Sequence, residues 1–343
     1  MIDLITDRSS WQNALSEIGN YDFYHVYDYH HLELAPGQTA MLLRYQSGNA
    51  VILLPLILRN IPNAPDNLID ATSVYGYSGP ISTGATPEVA ASFGRTLAGI
   101  LKERGVISVF SRLHPLMDQS PLLDGLGDVS TAGYTVSVDL SKPPSEQWAE
   151  YRKGNRYDIS RLLKSGFECR ELSWKEYGDE FIAIYNETMR RVGASGSYFF
   201  PSAYYNELFH LDGVSTHLFG CFHGESLVCA GIFTLCGGIV QYHLSGTREN
   251  AVPAGPTRLM IDTVRVWAGD HRAHTLHLGG GVGGARDSLY TFKAGFSKQN
   301  HEFRLWKWIV DQDQYNRLCA SRRVSPHTSY FPAYRSPAIP HGT

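Results

Sequence analysis

Residues 42–56 read Leu-Leu-Arg-Tyr-Gln-Ser-Gly-Asn-Ala-Val-Ile-Leu-Leu-Pro-Leu, and residues 218–232 read Leu-Phe-Gly-Cys-Phe-His-Gly-Glu-Ser-Leu-Val-Cys-Ala-Gly-Ile. Each stretch is two apolar runs around a polar-Gly turn, Ser47-Gly48 and then His223-Gly224, which is the signature of a hairpin. Each is followed by Tyr-x-x-Ser-Gly: Tyr75 to Gly79, then Tyr242 to Gly246. The motifs are 242 − 75 = 167 residues apart and the hairpins 224 − 48 = 176 apart, so the halves differ by a small indel. A period of this length is a duplicated domain rather than a solenoid. Two similar halves imply a cleft between them, and the cleft is the expected place of function.

Composition sets wide bounds. The chain has 343 residues, 43% hydrophobic and 18% charged, which suits a globular protein with a full core or two. The longest apolar stretch, Val51 to Leu58, is broken by Pro55 and is too short to span a bilayer. The N-terminus lacks a basic-then-apolar signal pattern, and five cysteines with three in expected strands read as buried thiols. The expectation is a cytoplasmic protein without membrane insertion, with a monomer favoured. The net charge of −3 argues against whole-protein affinity for nucleic acid but allows a local basic surface.

Outward from the hairpins, helices are expected at 8–18, 26–34, 86–103, 145–165, 174–192 and 257–270. Strands are expected at 106–111, 134–140, 275–278 and 303–310. Thr86-Pro87-Glu88 is a strong helix start: a cap, then a proline at the first helical position, then an acid at the positive end. Ser141-Lys142-Pro143-Pro144-Ser145 is the best linker. It places a first domain at 1–143, completed by the segment 312–343, and a second at 144–311. Each half then runs helix, helix, hairpin, strand, helix, strand. That is the element order of GNAT-type acyltransferases, so the expected class is α/β with mixed sheets in two tandem GNAT-like domains.

Several local signals bear on chemistry. Gly279-x-Gly281-x-x-Gly284 follows a strand, as a dinucleotide loop would, but the next strand carries Arg304, Trp306, Lys307 and Trp308 instead of an acid at its tip. It reads better as a sharp turn that lets a substrate approach the backbone. Lys293 follows, between Phe292 and Phe296. Cys221, His223, Cys229 and Cys236 fit no zinc spacing, so no metal is expected. No Gly-x-Ser-x-Gly elbow occurs. Arg152, Lys153, Arg156, Arg161 and Lys164 make the helix near 151–170 basic, as phosphate binding requires, although a basic helix face is more often simply solvated.

Four stretches resemble the Fem-type (FemABX) family of aminoacyl-tRNA-dependent peptidyltransferases. They are Arg152 to Ile159, Tyr185 to Arg191, the hairpin with Tyr242 to Gly246, and Leu278 to Gly281 leading to Ser288 through Phe296. The lysine in Phe-Lys-x-x-Phe is the most specific mark. The resemblance is strong from 145 to 310 and weaker before. It implies two GNAT-like domains and transfer of an amino acid from aminoacyl-tRNA to an amine on a peptide-like acceptor, either a cell-wall precursor or a peptide-type natural product. It implies no cofactor beyond aminoacyl-tRNA as co-substrate. It matches Lys293 to a lysine facing developing negative charge and Tyr242 to an active-site tyrosine. Arg191 matches an arginine that holds acceptor phosphate. The expected substrate site adds Tyr75, Tyr77, Arg112, His114, Gly281, Ser288, Phe292 and Phe296, with the basic helix for tRNA. Arg112-Leu113-His114-Pro115 departs from the Asp-Pro of many relatives, and no heptad segment supplies a coiled-coil arm. The alternatives are an acyl-CoA-dependent N-acyltransferase on the same fold, or a non-catalytic binding protein. The loop Arg248 to Thr257 has the arginine of an acyl-CoA loop without its glycines.

Overall fold

The computed structural model describes residues 2–64 and 68–337. In chain order the first half holds β1 (Ile2–Ile5), α1 (Arg8–Ile18), α2 (Tyr27–Leu32), β2 (Gln38–Ser47), β3 (Ala50–Asn60), β4 (Ile69–Thr72), β5 (Ile81–Thr83), α3 (Pro87–Glu103) and β6 (Val106–Arg112). Then come β7 (Asp128–Asp139), α4 (Pro144–Glu150), α5 (Lys153–Lys164), β8 (Phe167–Leu172), α6 (Trp174–Arg191), α7 (Ser202–Leu208), β9 (Ser215–His223), β10 (Ser226–Cys236) and β11 (Ile239–Thr247). The chain closes with α8 (Thr257–Asp270), β12 (Thr275–Gly280), α9 (Ser288–Lys293), β13 (Gln299–Ile309) and α10 (Gln312–Ser321). Two compact units result: Met1–Ala132 with Phe303–Thr343, and Gly133–Glu302. The division falls inside β7, and Ser141–Pro143 forms a turn that leads directly into α4.

The duplication is legible in the sheets. Strand order is β1-β2-β3-β4-β6-β13 in the first unit and β8-β9-β10-β11-β12-β7 in the second. Position by position the pairings match. The hairpins β2/β3 and β9/β10 are antiparallel, β4/β6 and β11/β12 are parallel, and the closing strand is antiparallel in both. The closing strands come from unexpected places. β7 follows β6 in sequence yet completes the second unit's sheet, and β13 follows β12 yet completes the first.

Local chemistry explains the elements. Both hairpins turn over two residues, Gly48-Asn49 and Gly224-Glu225, one residue later than the sequence suggested. The first central residue takes φ of 58° and 59°, a value that glycine adopts without steric cost. β3 is buried from Ala50 to Ile57 and β10 from Leu227 to Thr234, as continuous apolar strands covered on both faces must be. Thr86 caps α3 by accepting from the Val89 amide, and Phe93, Leu97 and Leu101 bury that helix. At about 2 kcal/mol for each large side chain removed from water, this face anchors the helix. The expected 145–165 helix is broken at Tyr151 and Arg152, which are extended; the Arg152 amide donates to Gly295 O at 2.8 Å instead. The two Tyr-x-x-Ser-Gly motifs are not equivalent in place: the first lies in the loop between β4 and β5, the second inside β11.

After Phe303 the chain belongs to the first unit. Tyr315, Leu318 and Cys319 of α10 pack with Ile61, Ile107 and Tyr334. The Tyr334 hydroxyl bonds Ser108 Oγ at 2.8 Å and Asp70 Oδ2 at 3.1 Å, so this part of the tail is tied down by polar bonds. Among the described residues no helix is long and apolar enough to cross a membrane.

Candidate active site

The second unit's parallel pair parts company early. β11 and β12 are in register only over Ile239–Gln241 and Thr275–His277. Two irregularities accompany the split. One lies in the β10/β11 ladder, where Ile232 faces Leu244 and Phe233 faces Tyr242, leaving His243 as the extra residue. The other lies in the β12/β7 ladder between His277 and Gly279. Bulges bend a strand and raise its twist, so both strands turn away just past the shared stretch. Tyr242 is the first residue of β11 beyond the split, and Gly280 ends β12.

Lys293 bridges that divergence. It closes α9, and its Nζ donates to Gly280 O at 2.8 Å while lying 5.8 Å from the centroid of the Tyr242 ring. The side chain is buried. Burial pulls its pKa from 10.5 to about 8, against the opposing pull of the Asp287 carboxylate. It therefore stays a cation at pH 7. An ammonium has three donors. Among the described residues Gly280 O is its one acceptor, which leaves two donors for a ligand.

The surrounding chain fixes this group. Asp287 caps α9 by accepting from the Tyr290 amide at 2.8 Å and also takes the Val282 amide at 2.9 Å, which holds its carboxyl below the usual range. The glycine run folds back on itself. A Cβ at Gly281 would stand 2.1 Å from Ala285 O, and Gly283 takes a φ of 61°. The turn interpretation of Gly279–Gly284 thus has a physical basis in close backbone approach. Tyr242 stacks on Phe233 with centroids 5.1 Å apart, and its hydroxyl bonds Ser245 Oγ. Burial pushes that phenol above its ordinary pKa, so it is a neutral hydroxyl at physiological pH.

Other expected residues fall around this centre with different roles. Phe296 is fully buried, edge-on to Tyr151 and Phe292, and so belongs to the core. Phe292 is half-buried beneath the Arg258 guanidinium, 5.3 Å away. Ser288 stands at the first position of α9, and Gly281 precedes the turn. Arg191 is exposed and donates to Thr247 O at 2.9 Å. In the basic segment, Arg152 donates to Thr291 O and Arg156 to Ala149 O. Arg161 donates to Ala254 O. Lys153 and Lys164 are exposed on α5. Sequence reasoning missed Gly280, whose contribution is a backbone carbonyl, and Ser245. Asp287 was readable in principle, since an Asp ahead of Ser-Leu-Tyr is a helix-capping signal.

The first unit holds the remaining expected residues. His114 is buried and bonds Asp22 Oδ2 through Nε2 at 2.9 Å, both side chains being fully enclosed. Its Nδ1 accepts from the Leu116 amide at 3.2 Å, so Nε2 carries the proton and donates. Both ring nitrogens are occupied within the unit. Tyr77 packs edge-on to Tyr24 and Phe303. Tyr75 is 38% exposed and gives its carbonyl to the Tyr29 hydroxyl. Arg112 lies over the Phe110 ring at 5.3 Å.

No family model and no curated protein matches the chain. Solved structures do. FemX superposes with a TM-score of 0.71 at 14% identity, covering 92% of this chain and 99% of that one. L-PGS from Bacillus licheniformis gives 0.57 at 14% identity, covering 90% and 93%. The C-terminal domain of a putative lysylphosphatidylglycerol synthetase from Agrobacterium fabrum gives 0.56 at 12% identity, covering 92% and 96%. At these identities the likeness speaks for the fold, and the matched sheet order of the two units agrees with it. The chain has the tandem GNAT-like fold of FemX.

Proposed function

We propose that the protein is an acyltransferase that moves an aminoacyl group from aminoacyl-tRNA to the amine of a peptide-like acceptor. The observation that carries the proposal is Lys293: a buried ammonium set between two diverging strands, with two unused donors. The resemblance of Leu278 to Gly281 and of Ser288 to Phe296 to the Fem-type family supports it, and the fold shared with FemX is consistent with it.

The mechanism follows from what these groups can do. An aminoacyl ester is already activated, so direct aminolysis needs no covalent enzyme intermediate. The neutral acceptor amine attacks the ester carbonyl, the carbonyl oxygen gains negative charge, and the tRNA hydroxyl leaves with a proton. Holding the reactants together supplies much of the acceleration, with effective molarities reaching about 10⁵ M or more. Lys293 directs its free donors at the developing oxyanion. In a dry site one such donor contributes about 3 kcal/mol to the transition state. Tyr242, neutral and held by Ser245, positions the reacting groups beside the ammonium. Arg152, Lys153, Arg156, Arg161 and Lys164 supply positive charge for tRNA phosphates, and Arg191 does so for an acceptor anion.

The test is transfer from charged tRNA to an amine acceptor, with and without ribonuclease, beside a reaction given acetyl-CoA. Ribonuclease-sensitive incorporation that falls about a hundredfold in Lys293→Ala supports the proposal. Incorporation from acetyl-CoA alone, or turnover unchanged in Lys293→Ala, overturns it.

A further inference from the structure

The outward face of α5 has an unusual composition. The helix buries Asn155, Ile159 and Leu162. With 3.6 residues per turn, Lys153, Tyr157, Ser160 and Lys164 point the opposite way, with Arg161 on the flank. All five are exposed. Tyr157 is 68% exposed, against 38% for Tyr75 and 47% for Tyr330. A tyrosine this bare, on a helix that already buries an apolar face, is not there for packing.

Its surroundings have a sign. Between 152 and 164 there are five cations and one acid, Asp158, in a chain whose net charge is −3. Asp158 is taken up by Arg161 at 3.5 Å and Arg258 at 3.4 Å. Lys153 and Lys164 have no carboxylate partner among the described residues. No acid stands in the first turn of α5 and no side chain caps it, so the helix's positive end adds to the same field. Arg152, Arg156 and Arg161 turn to backbone carbonyls at Thr291, Ala149 and Ala254. The helix is also continuous with the candidate site: Arg152 is bonded to Gly295 and Thr291, which flank Lys293.

We infer that Tyr157 is a stacking platform for an unpaired base of a single-stranded RNA end, with Lys153 and Lys164 holding the adjacent phosphates. An exposed aromatic ring among cations is the usual recipe for single-stranded nucleic acid, because every base has a π-face and every linkage a charge. The inference rests on the aminoacyl-tRNA interpretation above and adds one subsite to it. It also narrows the expected basic set to the two lysines that share the face of Tyr157.

The experiment is fluorescence anisotropy with the full chain and two labelled RNA hairpins, one with a four-nucleotide single-stranded 3′ end and one blunt. The wild type binds the overhang hairpin more tightly. Tyr157→Ala weakens that binding about tenfold. Tyr157→Phe restores it, and binding of the blunt hairpin is the same in all three. Lys153→Ala and Lys164→Ala each lower the salt slope by about 0.7, whereas Tyr157→Ala leaves the slope unchanged. An unchanged melting temperature in Tyr157→Ala confirms that the readout is local. Equal affinity of Tyr157→Ala and wild type for the overhang hairpin overturns the stacking subsite while the tRNA interpretation stands. Failure of the wild type to bind either RNA overturns both. Binding to phosphatidylglycerol vesicles without binding to RNA would assign this face to a lipid surface, and it overturns the inference too.

Discussion

Replacing Lys293 with methionine should change stability in a way that depends on pH. In the native state Lys293 is a buried cation, and burial lowers its pKa from 10.5 to about 8. At about 1.36 kcal/mol per pH unit, that drop means charge burial opposes folding by about 3 kcal/mol at pH 7. As pH rises through 8 the folded protein releases the proton, while the unfolded chain holds it until about 10.5. The wild type therefore regains stability with rising pH, about 2.5 kcal/mol of it between pH 7 and pH 10. Lys293→Met has no charge at this position and gains nothing there. It does leave Gly280 O without its donor, at a cost of about 1–3 kcal/mol. That cost is common to both pH values and cancels in the comparison. The expected result is a stability difference, variant minus wild type, that falls by about 2.5 kcal/mol from pH 7 to pH 10. Urea denaturation followed by far-UV circular dichroism measures it. A difference that stays the same at both pH values would refute the picture of a buried ammonium at position 293.

Two further outcomes follow from the geometry. His25 and His30 are fully buried, and burial lowers their pKa values from 6.5 to about 4 and about 3. The unfolded chain takes up these protons first, so stability is complete above pH 6.5 and is lost as pH falls; each histidine should cost about 2 kcal/mol between pH 7 and pH 5. A His25→Asn, His30→Asn double variant with the same acid dependence as wild type, measured by urea titration, would count against this. Gly246 faces the backbone of α6, where a Cβ would stand 2.7 Å from Ile184 O. Gly246→Ala should push α6 off β11 and destabilise the protein by about 1–3 kcal/mol, visible as a lowered melting temperature; an unchanged melting temperature would show that α6 has room to move.

The sequence carried the element order because its signals are local. Thr86-Pro87 marked the start of α3, Gly48 and Gly224 marked the hairpin turns, and the 257–270 helix emerged with its expected bounds. The resemblance of Ser288–Phe296 and Tyr242–Gly246 to a known family also singled out Lys293 and Tyr242 as candidates, and the fold sets the ammonium 5.8 Å from the tyrosine ring. The break between α4 and α5 was not. Arg152 gives its amide to Gly295, a partner far along the chain, and no window of neighbouring residues contains that competition. The roles of some site candidates were equally hidden. Phe296 and His114 read as ligand-facing in the chain, yet the fold encloses both.

What the amino-acid order determined by itself was the duplication, the apolar hairpins and the caps, since turn chemistry and burial patterning act within a few residues. Tertiary structure alone decided which strand closes each sheet and where the lysine's charge sits. β7 and β13 are each paired into the sheet to which the strand before them, β6 or β12, does not belong, and pairing between strands so far apart in the chain is written in no local window. The ammonium of Lys293 is made unusual by two bulges and a glycine carbonyl that meet only after β11 and β12 have diverged.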